Sequence, residues 1–158
     1  MKRYEIVELG NIEAFQSMLL IKAQQEQQKK KPGSWSSLLA TYIRQREIIS
    51  FNPYPDSDEL EQDDEVPPSI KLLTRNIDPR FENELYRWGL QNFSVANYRI
   101  IFAVYDYYKV LLLHVFDKQY NNDVKREDVR KAELVYEEYL MQFPSKYRGK
   151  EPLIWMHF

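Results

Sequence analysis

Two apolar runs, Asn97 to Asp106 and Lys109 to Asp117, are separated only by Tyr107-Tyr108. Both are rich in β-branched and aromatic residues, and two such runs a turn apart read as an antiparallel hairpin. That hairpin is the strongest constraint on the fold. A two-residue turn favours Asn or Gly at positive φ, which Tyr-Tyr lacks, so the reading widens the turn to take in Asp106 and Lys109. A third strand-like run, Glu84 to Gln91, lies just upstream and makes the group a three-stranded antiparallel meander.

The rest of the chain is organised around that sheet. Lys2 to Leu9 alternates charged and apolar residues, the period of a half-buried strand. Gly10 ends it, and Asn11 is placed to N-cap a helix whose apolar residues Ile12, Phe15, Met18, Leu19 and Ala23 recur at steps of three and four. Pro32-Gly33 stops that helix, and Ser34 is placed to cap a second one with Trp35, Leu38, Leu39, Tyr42 and Ile43 on one face. The pair forms a helical hairpin. Between residues 50 and 69 lie four of the eight prolines and a run from Asp56 to Glu65 with seven acids and no base; no regular structure is expected there. After the meander, Asn122 or Asp123 caps a helix with Val129, Ala132, Tyr136, Tyr139, Leu140 and Phe143 at helical spacing, ended by Pro144. A C-terminal extension over residues 144–158 closes on the apolar Leu153 to Phe158, which can dock on the body or add a strand. Strands and helices are segregated along the chain, so the class is α+β, in one domain over residues 1–158: an N-terminal strand and helical hairpin packed on a small antiparallel sheet, with a C-terminal helix.

Several chemistries are excluded at this level. The chain has no Cys, so no disulfide, and a zinc site would have to be built from carboxylates and the distant His114 and His157. No GxGxxG or P-loop exists among the four glycines, so no nucleotide cofactor is expected. The serines and two histidines form no nucleophile elbow. The longest apolar stretch, Val110 to Phe116, is too short to cross a bilayer, and MKRYEIVELG has no apolar core of a signal peptide, so a cytoplasmic soluble protein is expected. The charge balance of 22 basic to 24 acidic residues is uneven, because without the seven-acid run it is 22 to 17. A mildly basic body therefore carries an acidic loop, and a polyanionic partner stays open to it.

At the meander the residues resemble a known family. Tyr98-Arg99-Ile100-Ile101-Phe102, then Val110-Leu111-Leu112-Leu113-His114-Val115-Phe116-Asp117-Lys118, then a charged helix with Arg130-Lys131-Ala132 and Tyr139-Leu140, is similar to the RelE/HigB branch of bacterial toxin–antitoxin toxins. There a "YR" opens the middle strand and an "LLHxFxKK"-like segment closes the next. Ile70-Lys71-Leu72-Leu73 and Glu84-Leu85-Tyr86-Arg87 stand where the family has a "KxL" segment and an "LYELR" strand. The resemblance covers about residues 70 to 142, and upstream of it only the order of elements agrees.

The resemblance implies a RelE-like fold and a ribosome-dependent mRNA endoribonuclease, an mRNA interferase that needs no metal or cofactor and is inhibited by a cognate antitoxin protein. Attack of a ribose 2′-OH on the adjacent phosphate needs a base, cations for the extra phosphate charge, and an acid for the leaving oxygen. Arg99 matches the strand arginine; its alternative is an exposed strand Arg in a cross-strand ion pair. The arginine of "LYELR" aligns with Gly89, but Arg87 shares its sheet face by period two and can act from two positions away. His114 matches the strand histidine and alternatively is a core His. Lys118 matches the first of the paired lysines, whereas Gln119 replaces the second. Tyr120 is a candidate proton donor. Lys71 is a candidate backbone contact, and Lys29, Lys30 and Lys31 form a basic tip for rRNA. Family members are short and strongly basic, so the acidic loop is a departure; folded over the basic face, it would mask the site in cis. The related ParE branch, which inhibits DNA gyrase, and a non-catalytic interaction protein of the same fold are the alternative readings.

Overall fold

A computed structural model of the chain describes residues 3–29, 33–54, 68–73, 84–92, 96–106, 108–118 and 124–145. Its elements are β1 (Glu5–Glu8), α1 (Ile12–Gln28), α2 (Ser34–Phe51), β2 (Ser69–Leu72), β3 (Tyr86–Asn92), β4 (Ala96–Tyr105), β5 (Lys109–Asp117) and α3 (Arg126–Gln142). The strands form one five-stranded sheet in the order β1-β5-β4-β3-β2. The fold is α+β: an N-terminal strand, two packed helices, a mixed sheet and a closing helix.

The meander is present, with β3, β4 and β5 antiparallel. Tyr105 pairs with Lys109, so the connection runs from Asp106 to Tyr108, and Lys109 belongs to the strand rather than the turn. Tyr108 supplies the positive φ (61°) that a short hairpin connection needs, without being Gly or Asn. Its ring lies edge-on to Tyr4 with centroids 5.0 Å apart.

Two expectations about the sheet are corrected. It is mixed, because β1 pairs parallel to β5. Parallel neighbours need a long crossover connection, and here the whole helical hairpin lies between β1 and the other strands. Regular structure also enters the segment expected to have none, since α2 runs to Phe51 and Ser69 already pairs with Gly89 as the start of β2. The acidic run from Asp56 to Glu65 lies outside the described residues, as do Tyr107, Asn122, Asp123 and residues 146–158; neither Asn122 nor Asp123 caps α3, whose N-cap position is Lys125.

The β4–β5 register slips once. Ile101 faces His114 but Phe102 faces Leu112, which leaves Leu113 as an extra residue in a bulge. The slip reverses the alternation, so Leu111, Leu113, His114 and Phe116 share one face while Leu112 and Val115 take the other. The turn after β1 grips this bulge. Leu9 donates its N–H to the Leu112 carbonyl at 2.9 Å. The Asn11 side-chain amide donates to the Val115 carbonyl at 2.7 Å and its oxygen accepts the Val115 N–H at 2.8 Å. Asn11 therefore stands at the N-cap position of α1 without capping it by side chain, because β5 engages both ends of its amide.

Each sheet face carries its own core. On one, Ile12, Phe15, Leu19, Leu38, Tyr42 and Ile49 of the hairpin pack on Trp88, Leu90, Ile100, Phe102 and Leu112. On the other, Val129, Ala132, Tyr136, Tyr139 and Leu140 of α3 pack on Leu85, Ile101, Ala103, Leu111 and Leu113. The α1 and α3 stripes follow the sequence spacing, except that Phe143 falls past the end of α3 and is exposed. On α2 Leu38, Tyr42, Gln45, Ile48, Ile49 and Ser50 are buried, Trp35 and Leu39 pack partly buried on the same core, and Ile43 faces outward. Gln45 is tolerated inside because its side-chain oxygen accepts the Trp88 Nε1–H at 2.8 Å, beside a Trp88–Tyr42 stack of 5.3 Å. Nor does Ser34 cap α2: Gly33 holds the N-cap position, and the Glu26 carboxylate of α1 accepts the N–H groups of Gly33 (3.2 Å), Trp35 (3.2 Å) and Ser36 (2.7 Å). A carboxylate from the preceding helix thus satisfies the orphan donors of α2 and closes the hairpin.

Candidate functional site

The α3-side face of the sheet brings together Lys71, Arg87, Arg99 and His114 from the residues singled out by sequence. Cross-strand register sets out two adjacent rows there. One runs Lys71, Arg87, Ile101, His114 over β2, β3, β4 and β5; the next runs Ser69, Gly89, Arg99, Phe116. Strands lie about 4.8 Å apart, so Lys71 and Arg87 are immediate neighbours, and Arg99 is diagonal to Arg87. Among the described residues, α3 packs chiefly on β5 and β4 rather than on β3 and β2.

Gly89 shapes the centre. A Cβ built on it would lie 3.6 Å from Arg87 Nη1, 3.6 Å from Arg99 Nη1 and 3.7 Å from Arg99 Cζ. Two guanidinium groups from adjacent strands therefore converge on the space that a side chain at position 89 would fill. Two guanidinium groups this close to one point are of a chemistry suited to an oxyanion such as a phosphate diester. Arg87 does share the face of Gly89, as period two requires, and its long side chain reaches the same space.

The members differ in access. Lys71 is exposed, Arg87 is half-buried and Arg99 is 5 % exposed. The residues directly opposite Arg99 are Gly89 and Phe116, neither of them an acid, and its Nη1 donates to Asn97 Oδ1 and to the Tyr98 carbonyl (3.1 Å). It is not an exposed strand arginine. Asn97 also donates its side-chain amide to the Lys118 carbonyl at 3.1 Å and accepts the Lys118 N–H on its own carbonyl at 2.7 Å. One asparagine thus ties Arg99 to the end of β5 that carries Lys118, which is half-buried.

His114 points under α3. Its side chain is 13 % exposed, its ring lies over Phe116 with centroids 5.7 Å apart, and its Nε2 is buried 3.6 Å from Asp128 Oδ1, beyond hydrogen-bond reach. Burial lowers its pKa, Lys131 acts in the same direction, and the Asp128 carboxylate opposes them. The imidazole is accordingly neutral near pH 7 and braces β5 against the first turn of α3.

Lys29 is not brought to this face. It stands exposed at the C-cap of α1, in the helical hairpin on the opposite side of the sheet. Lys30, Lys31, Tyr120 and Gln119 lie outside the described residues. Sequence reasoning missed Gly89 as a spacer, Asn97 as the link and Asp128 as the partner of His114. Period two places Asn97 beside Arg99 on one face and could have found it, whereas nothing local marks Asp128. Among the described residues, no group of three His, Asp or Glu side chains is placed to hold a metal ion, and no helix is long and apolar enough to cross a membrane. Comparison with protein-family models, with curated protein sequences and with solved structures finds no match to this chain.

Proposed function

We propose that this chain is a RelE/HigB-like toxin that binds RNA on the α3-side face of its sheet and cleaves mRNA on the ribosome by metal-independent 2′-OH attack, under the control of an antitoxin. The observation that carries the reading is the convergence of Arg87 and Arg99 over Gly89, with Lys71 beside Arg87. In this reading the exposed Lys71, with Arg87 beside it, draws in the scissile phosphate from the β2 side. Arg99, fixed by Asn97, forms the rigid floor against which charge builds as the 2′-oxygen adds to phosphorus. Rigid, partly dehydrated cations stabilise such charge without reorganising. The 2′-proton passes to a base and the departing 5′-oxygen takes one up, leaving a 2′,3′-cyclic phosphate and a 5′-hydroxyl. His114, with Nε2 turned to Asp128, serves as a brace, so proton transfer falls to Lys118, to Tyr120 or to a ribosomal group.

One observation favours a second reading. Arg99 at 5 % exposure, already donating to Asn97 and Tyr98, also suits a non-catalytic interaction protein of the same fold, in which it holds the sheet end together. Induction in a bacterial host separates the two, with primer extension on a translated mRNA for wild type, Lys71→Ala, Arg87→Ala and Arg99→Ala. The proposal expects growth arrest with cuts inside translated codons, weakened by Lys71→Ala and abolished by Arg87→Ala with the protein still folded. Arrest without cuts moves the target to gyrase or another protein. No arrest from folded wild type supports the interaction protein.

A further inference from the structure

The corner where β1 begins gathers tyrosines and does not enter the reading above. Glu5 pairs with Lys109 in the parallel ladder and donates its N–H to the Tyr108 carbonyl at 2.8 Å. Tyr4 and Tyr108 therefore stand side by side on neighbouring segments. The Tyr4 N–H is taken by the Ser50 carbonyl at 2.6 Å, where α2 abuts the start of the strand. Tyr108 holds φ 61°, a conformation in which Gly or Asn is favoured, so its ring occupies the corner at a backbone cost. With both backbones held, the two rings meet at a centroid separation of 5.0 Å and an angle of 62°, the geometry of aromatic rings in edge contact.

Contact alone does not set this pair apart; access does. Tyr108 is 45 % exposed and Tyr4 is half-buried against it, so a reagent in solution reaches one ring while the other is held beside it. Burial, with Tyr54 and Tyr108 close by, pushes the Tyr4 pKa up to about 12. At neutral pH Tyr4 is a phenol and gives up its proton together with an electron. Tyr105 and Tyr139 are nearly as close, at 5.2 Å, but Tyr139 is 8 % exposed and the Tyr105 hydroxyl donates to the Phe143 carbonyl. Tyr54 lies farther from its neighbours, 6.5 Å from Tyr4 and 6.1 Å from Tyr86. The chain has no Cys, so no thiol competes for an oxidant.

We propose that Tyr4 and Tyr108 are an oxidative modification site, whose rings a one-electron oxidant such as a peroxidase intermediate or an oxidised metal complex joins as dityrosine, stapling β1 to the β4–β5 hairpin. The site stands whether or not the chain binds RNA. Each phenol loses one electron to the oxidant and one proton to water. The two phenoxyl radicals then form a C–C bond between ring carbons ortho to the hydroxyls, and each ortho hydrogen moves to its oxygen as a proton to restore the ring. The product is two hydrogen atoms lighter, and two oxidant molecules are each reduced by one electron. The bond closes a loop of about a hundred residues, and the entropy it removes from the unfolded chain raises the melting temperature by about 10 °C. The test oxidises the full chain, dilute enough to keep molecules apart, with tris(bipyridine)ruthenium(III) generated by light and persulfate, and maps the digest by mass spectrometry. The expected product is a monomer in which the peptide carrying Tyr4 is joined to the one carrying Tyr108, with the higher melting temperature. Tyr4→Phe and Tyr108→Phe preserve the ring packing, and each abolishes the joined peptide. Unfolding in urea before oxidation lowers its yield several-fold. The proposal is overturned if the folded protein gives no joined peptide, if the peptide joins other tyrosines or only separate chains, if it survives Tyr108→Phe, or if the unfolded chain yields as much of it.

Discussion

Replacing Gly10 by Ala tests whether the turn after β1 holds the β5 bulge. Gly10 has φ 55°, and a Cβ there would lie 2.2 Å from the Leu113 carbonyl oxygen, a backbone atom that cannot swing aside. The left-handed conformation alone costs an L-residue about 1–2 kcal/mol. Relieving the overlap means lifting the turn off the bulge, which breaks Leu9 to Leu112 and both Asn11–Val115 bonds, at about 1 kcal/mol each. The total, about 4 kcal/mol, is a large part of the roughly 5–15 kcal/mol that holds a domain folded. With a urea m-value of about 2 kcal/mol/M it lowers the unfolding midpoint by about 2 M. Gly10→Asn separates the two causes, because Asn tolerates positive φ but carries the same Cβ. If the overlap dominates, Asn and Ala lose similar stability; an Ala variant within 1 kcal/mol of wild type, or an Asn variant that recovers nearly all of it, would refute the argument.

Three further outcomes follow from other sites. Gly89 has room for a methyl group at ordinary van der Waals distance, and Gly is disfavoured inside a strand by about 0.5–1 kcal/mol relative to Ala. Gly89→Ala should therefore hold or raise the melting temperature while weakening RNA binding in filter assays several-fold; unchanged binding would remove the space over Gly89 from the site. For His114 the folded pKa is depressed, so its contribution to stability is complete above the ordinary value of about 6.5 and is lost as pH falls through the folded value. Stability measured from pH 7.5 down to 5 should fall less steeply in His114→Gln than in wild type, and parallel curves would contradict this. At Glu26, desolvation pushes the carboxyl pKa up, but the donations from Ser36, Trp35 and Gly33 outweigh it and the net shift is downward. Its support of α2 is thus present above the ordinary carboxylate pKa and lost on acidification through the lower, folded one. Glu26→Ala should speed amide exchange in the first turn of α2 at neutral pH, and an unchanged rate would show that solvent already serves those donors.

How much of this was legible depends on whether a residue's partners are near it in sequence. The meander was, because two apolar runs rich in β-branched and aromatic residues, a short connection apart, pair as an antiparallel hairpin. So were the buried faces of α1 and α3, where spacing alone selects Ile12, Phe15, Leu19 and Val129, Ala132, Tyr136. On α2 the spacing selects Trp35, Leu38, Leu39 and Tyr42, which pack on the core, but misses Gln45, which reads as polar and is buried because Trp88, from a strand, supplies its partner. The parallel β1–β5 pairing and the acid that caps α2 were hidden for the same reason. The bulge is the most instructive case. Leu111-Leu112-Leu113 is uniformly apolar, so a slip of one residue leaves no trace in the pattern, yet it decides which face His114 takes. With unbroken alternation from Leu112, His114 would point to the helical hairpin, away from Arg87 and Arg99. What fixes the slip is Gly10 and Asn11, about a hundred positions upstream and on the far edge of β5. The composition of the basic face therefore depends on a turn that contributes no side chain to it. Gly10→Ala should accordingly alter the environment of His114, read as a change in the NMR shifts of its ring, in whatever fraction of the protein remains folded.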